Sequence, residues 1–341
     1  MRSLTKDKND SRAATDPPTD FQGNTRDREF GLTIPFFFTR ETATLPLVGS
    51  FRRSAAFLIG GGPSLRELDL TKIAGAWRMT LNNGPTTIRP NANCTVDEPG
   101  RFNLSVWLDP TIMKFVPMGQ FEKPLWDNRR VRVDGDWVQK WEPSKLRVGD
   151  CPNVIGYRRN EKFHAPRYLY EETINWGNHA KHGGGRSVML AAMRILFLLG
   201  FRRVYLLGVD FEMTEEKKYH FDEERTAGAI RGNMHTYAKL MTWFEELQPY
   251  FLKEKFIVKN CNPHSRLKAF PFLPYEQAVE EALGHLGDFR NERTKGMYRK
   301  REDKLAEIGQ APAGSPAKAS GVSSAEAVAV PDGEQKSTEA R

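Results

Sequence analysis

The residues with the clearest chemical potential lie in two glycine triplets, each followed by a serine. Gly60-Gly61-Gly62-Pro63-Ser64 closes the apolar run Ala55–Ile59, and Gly183-Gly184-Gly185-Arg186-Ser187 opens the run Val188–Leu199. Glycine tolerates positive φ and lets a ligand or a second backbone come close, because no Cβ intervenes. Ser64 and Glu67 have the capping-box spacing, in which a hydroxyl and a carboxylate satisfy free N–H groups of a first helical turn. A helix that starts just past a glycine turn presents such N–H groups, and the positive end of its dipole, to an anion. Two turns of this kind predict a phosphate site for a nucleotide-bearing substrate, built from Gly60, Gly61, Gly62, Pro63 and Ser64 and from Gly184, Gly185 and Ser187. The same residues also suffice for tight strand-to-helix turns that bind nothing. The first triplet is neither a dinucleotide fingerprint nor a Walker A loop: position 65 is Leu, Asn82 and Asn83 stand where an acid is expected about 20 residues on, and no Lys-Ser/Thr pair follows.

Asn82-Asn83-Gly84-Pro85 follows the short run Arg78–Leu81. An amide side chain carries donor and acceptor together, which suits a base edge or a ribose hydroxyl; the same residues are ordinary turn formers. Asp109 follows Leu104–Leu108, and Asp210 ends the apolar run that starts at Val204. A carboxylate at the end of a buried strand can hold a metal or take up a proton, or simply bond a neighbouring loop. His220 and His235 flank the polar stretch 215–231, with His235 expected on the first turn of a helix from Asn233. Histidine is a fitting general base near neutral pH, although surface and capping positions use it as well. His179 and His182 have no metal-ligand spacing and no obvious third ligand.

The elements that must position these residues alternate. Ala55–Ile59, Arg78–Leu81, Leu104–Leu108, Val204–Phe211 and Lys255–Asn260 read as strands; Leu65–Ala74, Val188–Leu199, Asn233–Leu247 and Tyr275–Leu283 read as helices. Alternation of this kind predicts an α/β fold with an open, mostly parallel, doubly wound sheet. Ligands in such sheets bind past the carboxyl ends of the strands, which nominates Gly60–Ser64, Asn82–Gly84, Asp109, Asp210–Phe211 and Asn260–His264. Residues 113–177, rich in Trp, Arg and Pro, read as a loop-rich, cap-like insertion that shapes an acceptor pocket or packs as local core. The expected domain runs from 29 to 300, between a disordered tail over 1–28 and a charged helix end with a disordered tail over 301–341.

At 341 residues, 39% hydrophobic, the chain has enough apolar sequence for a substantial core. A net charge of +8 suits anionic substrates, with nucleic acid as a less economical explanation. No run approaches the length of a membrane span, and the N-terminus lacks the apolar stretch of a secretory signal, so a cytoplasmic location is expected. Cys94, Cys151 and Cys261 are too far apart for a zinc or disulfide framework. No permanent cofactor is expected.

Five features, in this order, have counterparts in one known superfamily: the Gly-Gly-Gly-Pro-Ser-Leu65 turn, Asn82-Asn83, the Gly-Gly-Gly-Arg-Ser187 helix start, Leu-Leu-Gly-Val-Asp-Phe211, and the stretch Asn260–Phe270. Over 55–111 and 178–285 the chain resembles the MptE-like 6-hydroxymethylpterin diphosphokinases, the Maf-type flagellin glycosyltransferases and the bacterial Rossmann-type sialyltransferases. The resemblance implies a Rossmann-like fold with a phosphorylated nucleotide at Gly60–Ser64 and Asn82–Asn83, and Ser187 closing over it. In the sialyltransferase branch it implies a CMP-linked nine-carbon sugar donor and a histidine base after the Asp-Phe strand, for which His235 is the nearest candidate. In the pterin branch it implies ATP with magnesium and Asp210 as the metal-side carboxylate; Asp109, expected at another strand end, is a second carboxylate for that ion. A chain that keeps the fold and binds a nucleotide or anion without chemistry is the third expectation.

Overall fold

The computed structural model describes residues 30–287 apart from 33, 53, 161–162, 172–173, 176–186 and 215–225, together with 291 and 298. The chain divides into a unit of residues 1–287 and another of 288–341, and every element below belongs to the first.

Twelve strands are described: β1 (Phe37–Phe38), β2 (Ala55–Ile59), β3 (Trp77–Leu81), β4 (Ala92–Cys94), β5 (Met113–Pro117), β6 (Pro124–Val133), β7 (Asp136–Arg147), β8 (Val154–Tyr157), β9 (Arg159–Asn160), β10 (Ile174–Asn175), β11 (Arg203–Leu207) and β12 (Ile257–Asn260). Eight of them form one sheet in the order β1-β8-β5-β4-β3-β2-β11-β12. All its neighbours pair in parallel except β1, which runs antiparallel to β8. This is the open, mostly parallel α/β sheet expected. The chain leaves β2 towards β3 and returns on the other side of it at β11, so the order reverses between β2 and β11.

The central strands are apolar throughout because both faces are covered. Along β2 and β11, Ala56, Leu58, Val204 and Leu206 face one cluster, while Phe57, Ile59, Tyr205 and Leu207 face the other. Four α-helices are described: α1 (Leu104–Leu108), α2 (Val188–Leu199), α3 (Ala227–Lys253) and α4 (Tyr275–Leu283). α2 and α3 fill the first cluster and α4 the second. α2 is buried from Met189 to Leu199, so it has no polar face. Its one cation, Arg194, lies over the Phe36 ring at 4.9 Å. Gly200 ends it in the left-handed region at φ 106°, as a C-terminal glycine should. No helix among the described residues is long and apolar enough to cross a membrane.

Several elements differ from expectation. Leu104–Leu108 is a helix, not a strand, and buries Trp107 beside Phe102 while the chain crosses from β4 to β5. The sheet position it was expected to take belongs to β4, only Ala-Asn-Cys long. Residues 113–177 are not purely an insertion, since they supply β5 and β8 to the main sheet. Only the antiparallel pair β6–β7 and the short pair β9–β10 stand outside it. The helix expected over Leu65–Ala74 is two 3-10 turns, Pro63–Glu67 and Leu70–Ile73. The strand expected to reach Phe211 stops at Leu207.

Candidate functional site

The loops after β2 and β11 meet at the carboxyl edge of the sheet. Gly60 N–H donates to Leu207 O and Gly62 N–H to Gly208 O, both at 2.8 Å. A Cβ on Gly60 would lie 2.5 Å from Gly208 O, and one on Gly62 would lie 2.5 Å from Asp210 Oδ2 and 2.7 Å from Gly208 O. Gly60 and Gly62 are therefore glycine because the Gly208 backbone and the Asp210 carboxylate pass against them.

Asp210 stitches three strand ends together. Its carboxylate accepts from Ser64 N (3.0 Å), Ser64 Oγ (2.5 Å) and Asn262 Nδ2 (2.8 Å), and its carbonyl accepts from Arg266 N at 3.0 Å. Beside it, Val209 O accepts from Ser265 Oγ at 2.6 Å and Asn260 Nδ2 at 3.3 Å, and Arg266 pairs with Glu212 at 2.7 Å. Asn262, Ser265 and Arg266 lie in or just past a loop nominated from the sequence but were not singled out there. The run of polar residues after a strand was the available signal.

This stitching changes what the glycine turn offers. Ser64 does not cap a helix: its hydroxyl is taken by Asp210, and the turn it enters has no side-chain cap. The N–H groups of Gly60, Gly62, Ser64 and Leu65 are all engaged within the chain. Among the described residues only the Gly61 N–H of this loop remains for a ligand, since Pro63 has none.

Asn82, at the end of β3, has φ +49°, a left-handed geometry that Asn accepts more readily than most residues. Its carbonyl accepts from Asn93 Nδ2 at 3.2 Å and its Oδ1 from Thr95 Oγ1 at 3.4 Å. Thr80 Oγ1 bonds Asn93 Oδ1 at 2.9 Å beneath it. The polar set Thr80, Asn93 and Thr95 is buried, and nothing in the sequence marked it. Asn83 shapes the following turn, its carbonyl accepting from Thr86 N and from Thr86 Oγ1.

Other predicted residues fall elsewhere. Asp109 precedes β5 instead of following a strand, so it sits at the amino edge of the sheet, opposite Asp210. There it pairs with Arg89 at 2.7 Å and accepts from Thr111 N and Oγ1, and Arg89 holds its carboxyl well below the usual range. Lys114 Nζ donates to the carbonyls of Asp109 (2.6 Å) and Pro152 (2.7 Å), and burial pulls its pKa down to about 8. Asp109 and Asp210 at opposite edges do not fit a shared magnesium ion, and among the described residues no cluster of three or more His, Cys, Asp or Glu is placed to hold a metal. His235 is exposed, in the third turn of α3, because that helix starts at Ala227. Ile230, Leu240 and Phe244 mark the inward face of α3, and Tyr237 stacks on Phe211 at 4.9 Å; His235 is half a turn away from them. Ser187 caps α2, its Oγ accepting from Met189 N at 3.1 Å. Gly184, Gly185, His179, His182 and His220 lie outside the described residues.

Sheet order and helices together define a Rossmann-like α/β protein in which the loops after β2, β3, β11 and β12 share the carboxyl edge of the sheet. No protein-family model matches the sequence, and no curated protein matches it. Among solved structures it is similar to the Maf glycosyltransferase from Magnetospirillum magneticum AMB-1, at TM-score 0.35 and 13% identity over 73% of this chain. The chain spans 37% of the length of that protein. It is also similar to the sialyltransferase CstII from Campylobacter jejuni in complex with a substrate analogue, cytidine-5'-monophosphate, at TM-score 0.33 and 12% identity over 65% of this chain and 85% of that one. A second CstII structure, with CMP-3FNeuAc, aligns at TM-score 0.32 and 13% identity, over 64% and 86%. These proteins belong to two of the groups that the sequence motifs resemble.

Proposed function

We propose that the chain is a glycosyltransferase with a nucleotide-linked donor of the CMP-nonulosonic-acid type, seated past the ends of β2 and β3. The observation that supports it most is the loop cluster at the switch point between β2 and β11. Glycine backbone with a free Gly61 N–H stands there, and Asn82 is held in a fixed left-handed geometry by buried partners. Gly61 would meet the phosphate, Asn82 and Asn83 the nucleoside, and Ser187 the same ligand from the start of α2. An acceptor hydroxyl would form the new C–O bond as the bond from the sugar's anomeric carbon to the phosphate oxygen breaks, with CMP leaving.

The hydroxyl proton needs an acceptor. His264 is exposed on the loop after β12, and its backbone N–H donates to Asn262 Oδ1 at 2.9 Å, on the residue whose amide also binds Asp210. We assign the proton to His264 in preference to His235, which α3 turns away. Asp210, with both oxygens accepting, acts as a positioning residue. That engagement also favours a second reading, an anion-binding chain without chemistry. No step is drawn through magnesium and ATP, because the two carboxylates do not meet.

The test is a thermal-shift series with CMP, CDP, UDP, GTP and ATP with Mg²⁺. A ligand that binds only the native state at a hundredfold excess over Kd adds about 2.7 kcal/mol. Stabilisation by CMP and not by Mg-ATP is expected. The reverse order would discard the sialyl-type donor, and no response to any nucleotide would discard the transferase reading.

A further inference from the structure

β6 and β7 form a long ribbon outside the main sheet, paired from Trp126↔Pro143 to Val133↔Asp136. Directly paired residues share a face, and the faces alternate along each strand. The register therefore puts Trp126, Trp141 and Trp137 on one face, together with Arg130, Gln139 and Arg132. The indoles are 38%, 42% and 65% exposed. Large apolar rings are costly to leave in water, and three on one side of one ribbon, interleaved with Arg130 and Gln139, make a stripe of the kind that marks an interaction surface.

Charge separates the two faces. On the opposite face Asp127 pairs with Arg129 and Lys140 with Glu142, each at 2.5 Å, so these charges cancel locally. On the tryptophan face Arg132 donates to Gly135 O at 3.2 Å, and among the described residues no acidic group meets Arg130 or Arg132. The patch thus offers three flat π surfaces and two unneutralised guanidinium groups. Arg pairs bidentately with carboxylates, and the electron-rich indole face attracts the weakly positive C–H face of a sugar ring. A nucleic acid would call for a broader basic field to neutralise successive phosphates, whereas the other side of this ribbon is balanced.

The ribbon also springs from the carboxyl edge of the sheet. It follows the turn Met118–Gln120 past the end of β5, where Gln120 Nε2 bonds the carbonyls of Val96 and Asp97 beyond β4. Its root is fixed in the small core of Phe102, Trp107, Phe121, Leu125 and Val148. Trp126 lies over Gly100, so close that a Cβ there would fall 2.1 Å from it. From Trp126 to Arg132 the stripe runs roughly 20 Å at the rise of an extended strand, the length of an oligosaccharide and not of a single ring.

We infer that this face of the β6–β7 ribbon is a binding surface for an acidic oligosaccharide, with the indoles stacking on its rings and Arg130 and Arg132 pairing with its carboxylates. As a glycan-binding surface it stands alone; as the acceptor's docking site it rests on the transferase reading above.

The test is calorimetric titration of the full chain with a short oligogalacturonate, with an uncharged malto-oligosaccharide of equal length, and with single-stranded oligothymidylate. Saturable binding of the oligogalacturonate is expected, at least about tenfold tighter than the neutral sugar. Replacing Trp137→Ala and Trp141→Ala together should weaken it by about tenfold or more, while Trp137→Phe with Trp141→Phe retains most of it. Arg130→Gln with Arg132→Gln should abolish the preference for the charged sugar. Tighter binding of oligothymidylate, no saturable binding of either sugar, or an alanine variant whose only change is a smaller assembly in sedimentation would each overturn the inference. The CMP thermal shift, measured on the same variants, separates the two proposals. Lost glycan binding with an intact CMP response counts against the ribbon alone, and an absent CMP response in the unaltered chain counts against the transferase.

Discussion

Ser64 closes both oxygens of Asp210, its N–H donating to Oδ2 at 3.0 Å and its hydroxyl to Oδ1 at 2.5 Å. One residue after β2 thereby locks the loop after β11, 146 positions away. Removing the carboxylate leaves the Ser64 N–H and the Asn262 amide without their acceptor. Asp210→Ala should therefore cost about 1–3 kcal/mol, seen as a thermal midpoint lower by roughly 2–4 °C per kcal/mol. Ser64→Ala, which keeps the backbone bond, should cost less. Equal and negligible losses in both variants would show that the lock does not hold the loops.

Gly62→Ala should disturb the loop cluster more than its size suggests. The new methyl would meet Asp210 Oδ2 and Gly208 O, neither of which is the loose end of a flexible chain. Both stability and the CMP response should fall. Gly75→Ala has open space within 4 Å and serves as the control that leaves both unchanged.

Asn82 has separable roles in backbone and amide. Asn82→Gly keeps the left-handed geometry at φ +49° and removes the side chain, so nucleotide affinity should drop while the midpoint moves little. Asn82→Ala should lose affinity and also about 1 kcal/mol of stability, because alanine lacks the short polar side chain that lets Asn occupy the left-handed region. Unchanged CMP affinity in the glycine variant would remove Asn82 from the site.

His264→Ala is expected to lower turnover by roughly 10²–10⁴-fold, the usual range for a lost general base. His235→Ala, on the outer face of α3, should remain close to the unaltered protein. Full activity in the first variant, or a collapse confined to the second, would reverse the assignment.

Lys114 supplies a pH test at the other edge of the sheet. Burial lowers its pKa from 10.5 to about 8 in the folded chain. Between these values the unfolded state binds the extra proton, so this group makes stability rise as pH increases from about 8 towards 10.5; below 8 both states are charged and its contribution is flat. Denaturant unfolding at pH 8 and pH 10 should show the unaltered chain gaining stability relative to Lys114→Met, a difference that cancels the opposite slope of the buried thiols Cys94, Cys151 and Cys261. The same slope in both proteins would place Lys114 in water.

What could be read from the sequence followed from local physics. Ala55–Ile59 and the run after Val204 are apolar on successive residues, as a strand covered on both faces is, and both became central strands. Val188–Leu199 is apolar all round because every residue from Met189 is buried. Leu104–Leu108 was ambiguous, since a short, mostly apolar stretch fits a strand or a buried helical turn equally well. Its helical state moved Asp109 to the far edge of the sheet. The early start of α3 was hidden by Gly228 and Gly232, which interrupt the helical pattern, and that shift carried His235 off the expected turn.

By itself, then, the sequence determined the α/β class, the central strands and most of the loops at their carboxyl ends, because periodicity and glycine placement act over a few neighbouring residues. Only the tertiary structure decided which atoms meet in those loops. Asp210 serves Ser64 and Asn262, Asn82 rests on Asn93 and Thr95, and three tryptophans share one face of a ribbon. Each of these depends on strand order and register, set by packing between segments far apart in the chain, and no local pattern encodes that.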